Sequence, residues 1–345
     1  MRKTLFASAV LCVFSGAAMA QSSVTLFGTM DLGVRHVDNG DSAVTSLSSH
    51  GASTSKIGFR GEEDLGGGWG AGFWLEAQVD PDSGVTGGSN GTGLAFFNRR
   101  STVSLSSPWG EVRLGRDYVP TFSTIADFDP FNTNGVGNAL NLINQDSLGS
   151  GVVTQTRANN AISYFLPAQL GGFYGNVMIS PSEGLPGQQY LGARLGYAAG
   201  ALKLQAAVAQ TETATPSTPK FKQTNFAGSY DLGVAKLVGF VNVNEYDVKK
   251  ATVYLLGAFV PVGAGEIHVA YMNRNSAGGG TDADDATQFT LGYLHNLSKR
   301  TALYANVGRL ANSGGAHFVQ SGGPAAGSLT GFTNTGYEFG MRHFF

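Results

Sequence analysis

Along most of the chain apolar and polar residues alternate with a period of two. In Val24-Thr25-Leu26-Phe27-Gly28-Thr29-Met30-Asp31-Leu32-Gly33-Val34-Arg35 the even positions are apolar or glycine, and the odd ones carry Thr25, Thr29, Asp31 and Arg35. Lys56, Arg60 and Glu62 alternate with Ile57, Phe59 and Gly61, and Trp74, Glu76, Gln78 and Asp80 with Phe73, Leu75, Ala77 and Val79. At the C-terminus Tyr337, Phe339, Met341 and Phe345 alternate with Glu338 and Arg342. A strand points successive side chains to opposite faces, so these segments predict strands with one apolar and one polar face.

The joins between these strands alternate too. Seven are short: Gly66-Gly67-Gly68, Pro108-Trp109-Gly110, Pro167 to Gly171, Gly200, Asp231-Leu232-Gly233, Pro261 to Gly265 and Asn296 to Lys299. Eight are longer and polar, near 38–51, 81–93, 119–156, 182–189, 212–221, 246–250, 276–284 and 311–331. Fifteen joins make sixteen strands, and alternating short and long connections are the mark of a transmembrane β-barrel. Lipid offers no partner to a bare backbone, so a sheet in a membrane must close on itself. Sixteen strands leave a bore too wide for side chains to fill. The expected fold is therefore all-β, a 16-stranded antiparallel transmembrane barrel running without a domain boundary over 21–345. Two packed sheets would alternate likewise, but they would leave edges and need no alternation of loop length.

Residues 1–20 stand apart. Arg2 and Lys3, the apolar run Leu5 to Phe14 and Ala18-Met19-Ala20 form a secretory signal peptide, cleaved to start the mature chain at Gln21. Its loss leaves 20 Lys+Arg against the 24 Asp+Glu, a charge of −4, and removes Cys12, the only cysteine. No disulfide, thiolate nucleophile or cysteine metal ligand is then available. No basic excess remains to hold nucleic acid. The longest charge-free run of the mature chain, 158–182, is broken by Asn159, Asn160, Pro167, Gly171, Gly172 and Asn176 and reads as two strands rather than a membrane helix. The chemistry of other classes is missing. Gly87-Gly88-Ser89-Asn90-Gly91 fits the serine-hydrolase pattern but lies in a glycine-rich loop with no helix behind it. The glycines of 66–72 open no phosphate-binding helix, and the six histidines show no metal spacing. No cofactor or metal is expected.

Several segments together carry a family likeness. Ser22 to Gly28, Gly58-Phe59-Arg60-Gly61-Glu62-Glu63-Asp64-Leu65-Gly66-Gly67-Gly68, Gly110-Glu111-Val112-Arg113-Leu114-Gly115-Arg116-Asp117, Leu297-Ser298-Lys299-Arg300-Thr301 and Gly340-Met341-Arg342-His343-Phe344-Phe345 resemble, in order and spacing, the general diffusion porins of Gram-negative outer membranes, most closely the β-proteobacterial branch. The resemblance spans the mature chain. It implies a homotrimer in outer-membrane lipid and lipopolysaccharide, crossed passively by small ions and hydrophilic solutes. It also implies a third external loop folded into the lumen as a constriction, and an assembly signal ending in Phe345. Phe344 stands where the family more often has a polar residue.

The segment 119–156 is the longest without strand character, and a loop of that length is usually functional. Asp127 and Asp129 are its first acids and the expected negative side of the constriction, with Phe128, Pro130 and Phe131 pinning the loop to the wall. Carried over by motif, the opposing basic cluster falls on Lys56, Arg99, Arg100 and Arg157. Lys56 replaces the family's arginine, keeping charge but losing the planar fork. Parity turns Lys56, Glu76, Arg100 and Arg157 inward, and Arg99 only if a bulge intervenes. Arg60 and Glu62 also face inward, while Arg116 and Asp117 are expected to line the pore and to pair with each other. Charges around a narrow wet neck with low-dielectric walls select ions by sign, so these groups predict a passive pore with moderate anion preference. A channel selective for a sugar or organic anion is the alternative, and a barrel adhesin or enzyme a more distant one. Trp69, Phe73, Tyr337 and Phe339 are candidates for aromatic girdles at the membrane interfaces.

Overall fold

Alternation at every second residue is realised as sixteen antiparallel strands in one closed sheet. The computed structural model describes residues 23–91, 93–143, 147–213, 215 and 218–345; the expected signal peptide and cleavage point lie outside the described residues. The barrel strands are β1 Ser23–Asp38, β2 Lys56–Gly66, β3 Trp69–Asp80, β4 Arg100–Ser107, β5 Gly110–Tyr118, β6 Arg157–Phe165, β7 Phe173–Ser180 and β8 Tyr190–Ala199. They continue as β9 Leu202–Thr211, β10 Phe221–Asp231, β11 Lys236–Tyr246, β12 Lys249–Val262, β13 Gly265–Ala277, β14 Ala286–Asn296, β15 Thr301–Asn312 and β16 Thr333–Phe344. Each pairs with its sequence neighbour. The ring closes where β16 meets β1, from Thr29 opposite Phe344 to Asp38 opposite Thr335. Phe345 completes the seam: its backbone exchanges hydrogen bonds of 3.0 and 3.1 Å with Gly28.

The polarity is inverted relative to a water-soluble sheet. Leu256 is 71% and Phe226 61% exposed on the outer face, whereas Gln205, Asn242 and Gln288 on the inner face are almost wholly buried. Apolar residues outside meet lipid, and polar residues inside bond to one another and to the inserted loop. Six of the seven short joins are turns of two to four residues, and the one between β6 and β7 takes seven, 166–172. Of the eight longer ones, 246–250 differs from expectation. Tyr246 pairs directly with Lys249, leaving a two-residue turn in which Asp247 takes φ +54°. An Asx residue tolerates that left-handed conformation, so its polarity signalled a turn rather than length.

The loop after β5 turns into the lumen. Pro120, with its φ preset and no N–H to satisfy, opens the helix α1 Pro120–Phe128. Its buried side, Phe122, Ile125 and Phe128 among others, packs against the inner faces of β8, β9, β10 and β11. A one-turn helix, α2 Leu140–Ile143, continues the contact. Under these helices the inner wall ceases to be polar: Val238, Phe240, Val253, Leu255, Met272 and Leu310 join Ile125, Phe128, Leu142 and Ile143 in one buried cluster. Gly257 gives Pro130 its seat, since a Cβ there would lie 2.6 Å from the proline Cγ. A second loop enters as well, which the alternation did not disclose. Phe318 shares the same cluster, Ser321 Oγ donates to Asn141 at 2.9 Å, and Gln320 Nε2 donates to the Val136 carbonyl at 3.4 Å.

Candidate functional site

The inward row of β2 to β4 sets the first half of the site. Gly58 lies opposite Glu76, and Glu76 opposite Arg100, so side chains of one parity converge on the bore. Glu76 is the hub. Its Oε1 receives Arg99 Nε at 2.6 Å, and its Oε2 lies 3.5 Å from Lys56 Nζ. Arg99 and Arg100 both reach the lumen, without the bulge that parity required. The ladder begins at Arg100, and Arg99 sits in the preceding bend with its N–H on the Glu76 carbonyl, free of strand parity. Arg99 Nη2 donates to the Tyr118 hydroxyl at 2.9 Å. Arg157 stacks over the Tyr118 ring at 4.2 Å and donates from Nε to the Arg99 carbonyl at 2.7 Å. Lys56, Arg99, Arg100, Arg157 and Glu76 are thus brought together.

A second knot adjoins the first. Arg100 lies 4.5 Å over Trp74 and 3.7 Å from Asp117, and Arg60 lies 5.2 Å from the same indole. Asp117 does not pair with Arg116. It takes Arg113 Nη1 at 2.6 Å, because residues 113 and 117 share a face. Arg116 instead donates to the carbonyls of Asn98 at 2.6 Å and Asn90 at 3.1 Å and to Asn159 Oδ1 at 2.7 Å, tying the loop after β3 to the wall. The register slips here between Ala158 and Ala161, with Asn160 at φ +54°. Opposite it Gly115 takes φ +123°, where any Cβ would strike the Ser101 carbonyl. Arg116 itself lies opposite Ser101, on the other parity from Arg113 and Asp117, which leaves it out of the inward row. Glu62 stays at the short-turn mouth, lining an open recess of about 640 Å³ with Arg60, Arg100 and Arg113.

The loop acids depart from expectation. Asp129 does not face the bore. It is 2% exposed, and its carboxylate accepts the N–H groups of Phe131 at 2.9 Å and of Thr133 and Ala139 at 3.0 Å. Burial pushes its carboxyl up to about 6, against the pull of those three donors. A short acid after a helix is a ready acceptor for the next turn, and here it shapes the loop. Asp127 is answered by Lys203 Nζ at 3.1 Å and Arg194 Nη1 at 3.6 Å, cations of β9 and β8, rather than by the Lys56–Arg157 cluster.

A model of the family described as "Gram-negative porin" matches residues 7–315. The chain belongs to that family. It is 41% identical to outer membrane porin protein 32 of Delftia acidovorans, over the full length of both. It is 26% identical to the major outer membrane protein P.IB of Neisseria gonorrhoeae, over 93% of this chain and 97% of that one. Among solved structures it resembles the anion-selective porin from Comamonas acidovorans, with a TM-score of 0.83 and 39% identity over 94% of this chain and 100% of that one. This porin is a diffusion channel of the outer membrane. Its relatives are channels rather than enzymes.

Three charged sets of the porin escaped the sequence reading: Arg113 with Glu111 and Asp117, Arg194 and Lys203 with Asp127, and Arg35 with Glu338 at 2.7 Å. A signal for each was present. Arg113 alternates with Val112 and Leu114, Arg194 with Leu191 and Leu195, Lys203 with Leu204, and Arg35 with Val34. Parity carried through every strand, rather than the motif carry-over alone, would have placed them inside.

Proposed function

We propose that this porin is a passive, water-filled pore with moderate preference for anions, set at a neck by Lys56, Arg99, Arg100 and Arg157 together with Arg113. One observation carries the reading. The neck acids Glu76, Asp117 and Asp127 are each matched by two cations, of which Arg113 is shared with Glu111, whereas Arg157 and Arg60 have no ion pair among the described residues. A guanidinium keeps its charge at any physiological pH. Surplus fixed charge in a neck with low-dielectric walls raises the local concentration of the opposite ion. The Comamonas acidovorans porin, similar over 94% of this chain, is described as anion-selective, in agreement with that surplus. Asp129 has no part in selection in this proposal; it holds the loop in shape. The same reading includes cleavage of residues 1–20 on export, assembly as a homotrimer in lipid and lipopolysaccharide, and Phe345 as the assembly signal.

The test is the reversal potential of single channels in a tenfold KCl gradient. Ideal selectivity for a monovalent ion gives about 59 mV. The native pore should fall well short of that, with the sign of anion preference. Arg100→Gln with Arg157→Gln should move the potential toward cation preference at nearly unchanged open probability. An unmoved potential removes both residues from the mechanism.

A further inference from the structure

On the short-turn side of the neck, the inner faces of β2 to β5 form a grid. Arg60 lies opposite Trp74, and Trp74 opposite Thr102. One residue pair nearer the turns, about 7 Å along the strands, Glu62 lies opposite Gly72, Gly72 opposite Ser104 and Ser104 opposite Arg113. Glycine and serine keep the middle of that row low, and it floors the open recess of about 640 Å³. Most charges around the recess are already engaged. Arg113 is held by Glu111 at 2.9 Å and by Asp117 at 2.6 Å, and Arg100 lies 3.7 Å from Asp117. Asp64 accepts the Gly66 N–H at 2.8 Å within its own turn. Glu63 lies opposite Ala71, on the other parity from Glu62.

Two opposite charges remain on one strand. Arg60 and Glu62 are both exposed, and neither has an ion pair among the described residues. They do not answer each other, because the Arg60 guanidinium is drawn to aromatic faces. It lies 5.2 Å from the Trp74 indole and 5.6 Å from the Phe27 ring, which stands one residue pair nearer the neck. A solute entering the recess therefore meets a cation on the neck side and a carboxylate on the mouth side. We infer that the recess is a weak, saturable subsite for small zwitterions of the amino-acid class, with the carboxylate on Arg60, the ammonium on Glu62 and the side chain over Gly72 and Ser104. The inference rests on the reading of an open, passive pore and names a solute class for it. A zwitterion has no net charge and gains little from the cation surplus of the neck, but it gains from opposite charges set along the axis. An anion meets repulsion from Glu62, and a cation meets it from Arg60. Arg100, 4.5 Å over the same indole, stands where it can pass the carboxylate on to Arg60. An exposed charge pair is worth up to about fivefold in affinity. Binding that weak lets the solute leave again, as conduction requires.

L-Alanine, L-lactate and L-alaninol share one skeleton and differ in charge, so they test this on the porin in planar bilayers at neutral pH. Alanine should lower the KCl current of the wild type in a saturable way. Glu62→Gln should raise the half-saturating alanine concentration about fivefold without weakening lactate, and Glu62→Asp should restore the alanine response. Arg60→Gln should weaken alanine and lactate alike, about fivefold each. Alaninol, which lacks the carboxylate, should give no saturable effect. An equal alanine response in wild type and Glu62→Gln would overturn the subsite, and so would a wild-type response that never saturates. Equal loss of lactate and alanine in Glu62→Gln would also overturn it, since Glu62 would then act on the shape of the recess rather than on an ammonium group. The two readings fail separately. A chain that passes no KCl current refutes the open pore, whereas full KCl conductance without an alanine response refutes the subsite alone.

Discussion

At the scale of single residues, selection depends on which charges are already answered. Asp127 lies within reach of both Lys203 and Arg194, so it masks two wall cations at once. Asp127→Asn should therefore shift the reversal potential further toward anions, opposite in sign to the loss of Arg157. A cation-ward shift in the same KCl gradient would mean that Asp127 acts on the ion directly. Glu76 has the converse position, held between Arg99 and Lys56 inside a buried knot. Removing one partner of such a pair leaves the other charge uncompensated, at about 3–5 kcal/mol. For that reason Glu76 is a poorer probe of selectivity than Arg100 or Arg157, which keep part of their surface open to the bore.

At the scale of elements, the constriction is a helix seated on an apolar patch. Phe128 and Ile125 are each 1% exposed, pressed onto an inner wall made apolar for them. Phe128→Ala should cost about 3–5 kcal/mol of local stability, the usual toll for a buried aromatic. The barrel hydrogen bonds would be untouched. The expected outcome is a pore of wild-type thermal stability with added current noise and a larger mean conductance. A wild-type current trace would show that the Asp129 turn and the neighbouring loop 313–332 suffice to hold α1. The docking surface was legible in part. Along Leu237-Val238-Gly239-Phe240-Val241 and Val253-Tyr254-Leu255-Leu256 both faces are apolar, a break in alternation that no lipid contact explains. Which segment covered it was not legible, because α1 reaches that wall from the opposite side of the ring.

At the scale of the whole molecule, the lumen gathers cations in a chain whose formal charge is −2. Screening by salt sets how far that separation is felt. The Debye length is about 10 Å at 0.1 M and about 3 Å at 1 M. Anion preference should accordingly be clear in gradients centred near 0.1 M and fade toward neutrality near 1 M. A preference unchanged by salt would point to a size filter or a direct binding site instead. The sequence by itself determined the strand count, the wet and greasy faces, and the inward place of Lys56, Glu76 and Arg100, because a period of two is written locally in every strand. It did not determine that Asp129 turns into the loop, that Asp127 meets Lys203, that Arg157 reaches Tyr118 across the register slip, or that a second loop enters the bore. Those depend on which strands face each other across the ring and on where the register slips beside Gly115. Only closure of the sheet fixes such distances, since it brings together residues that no local pattern connects.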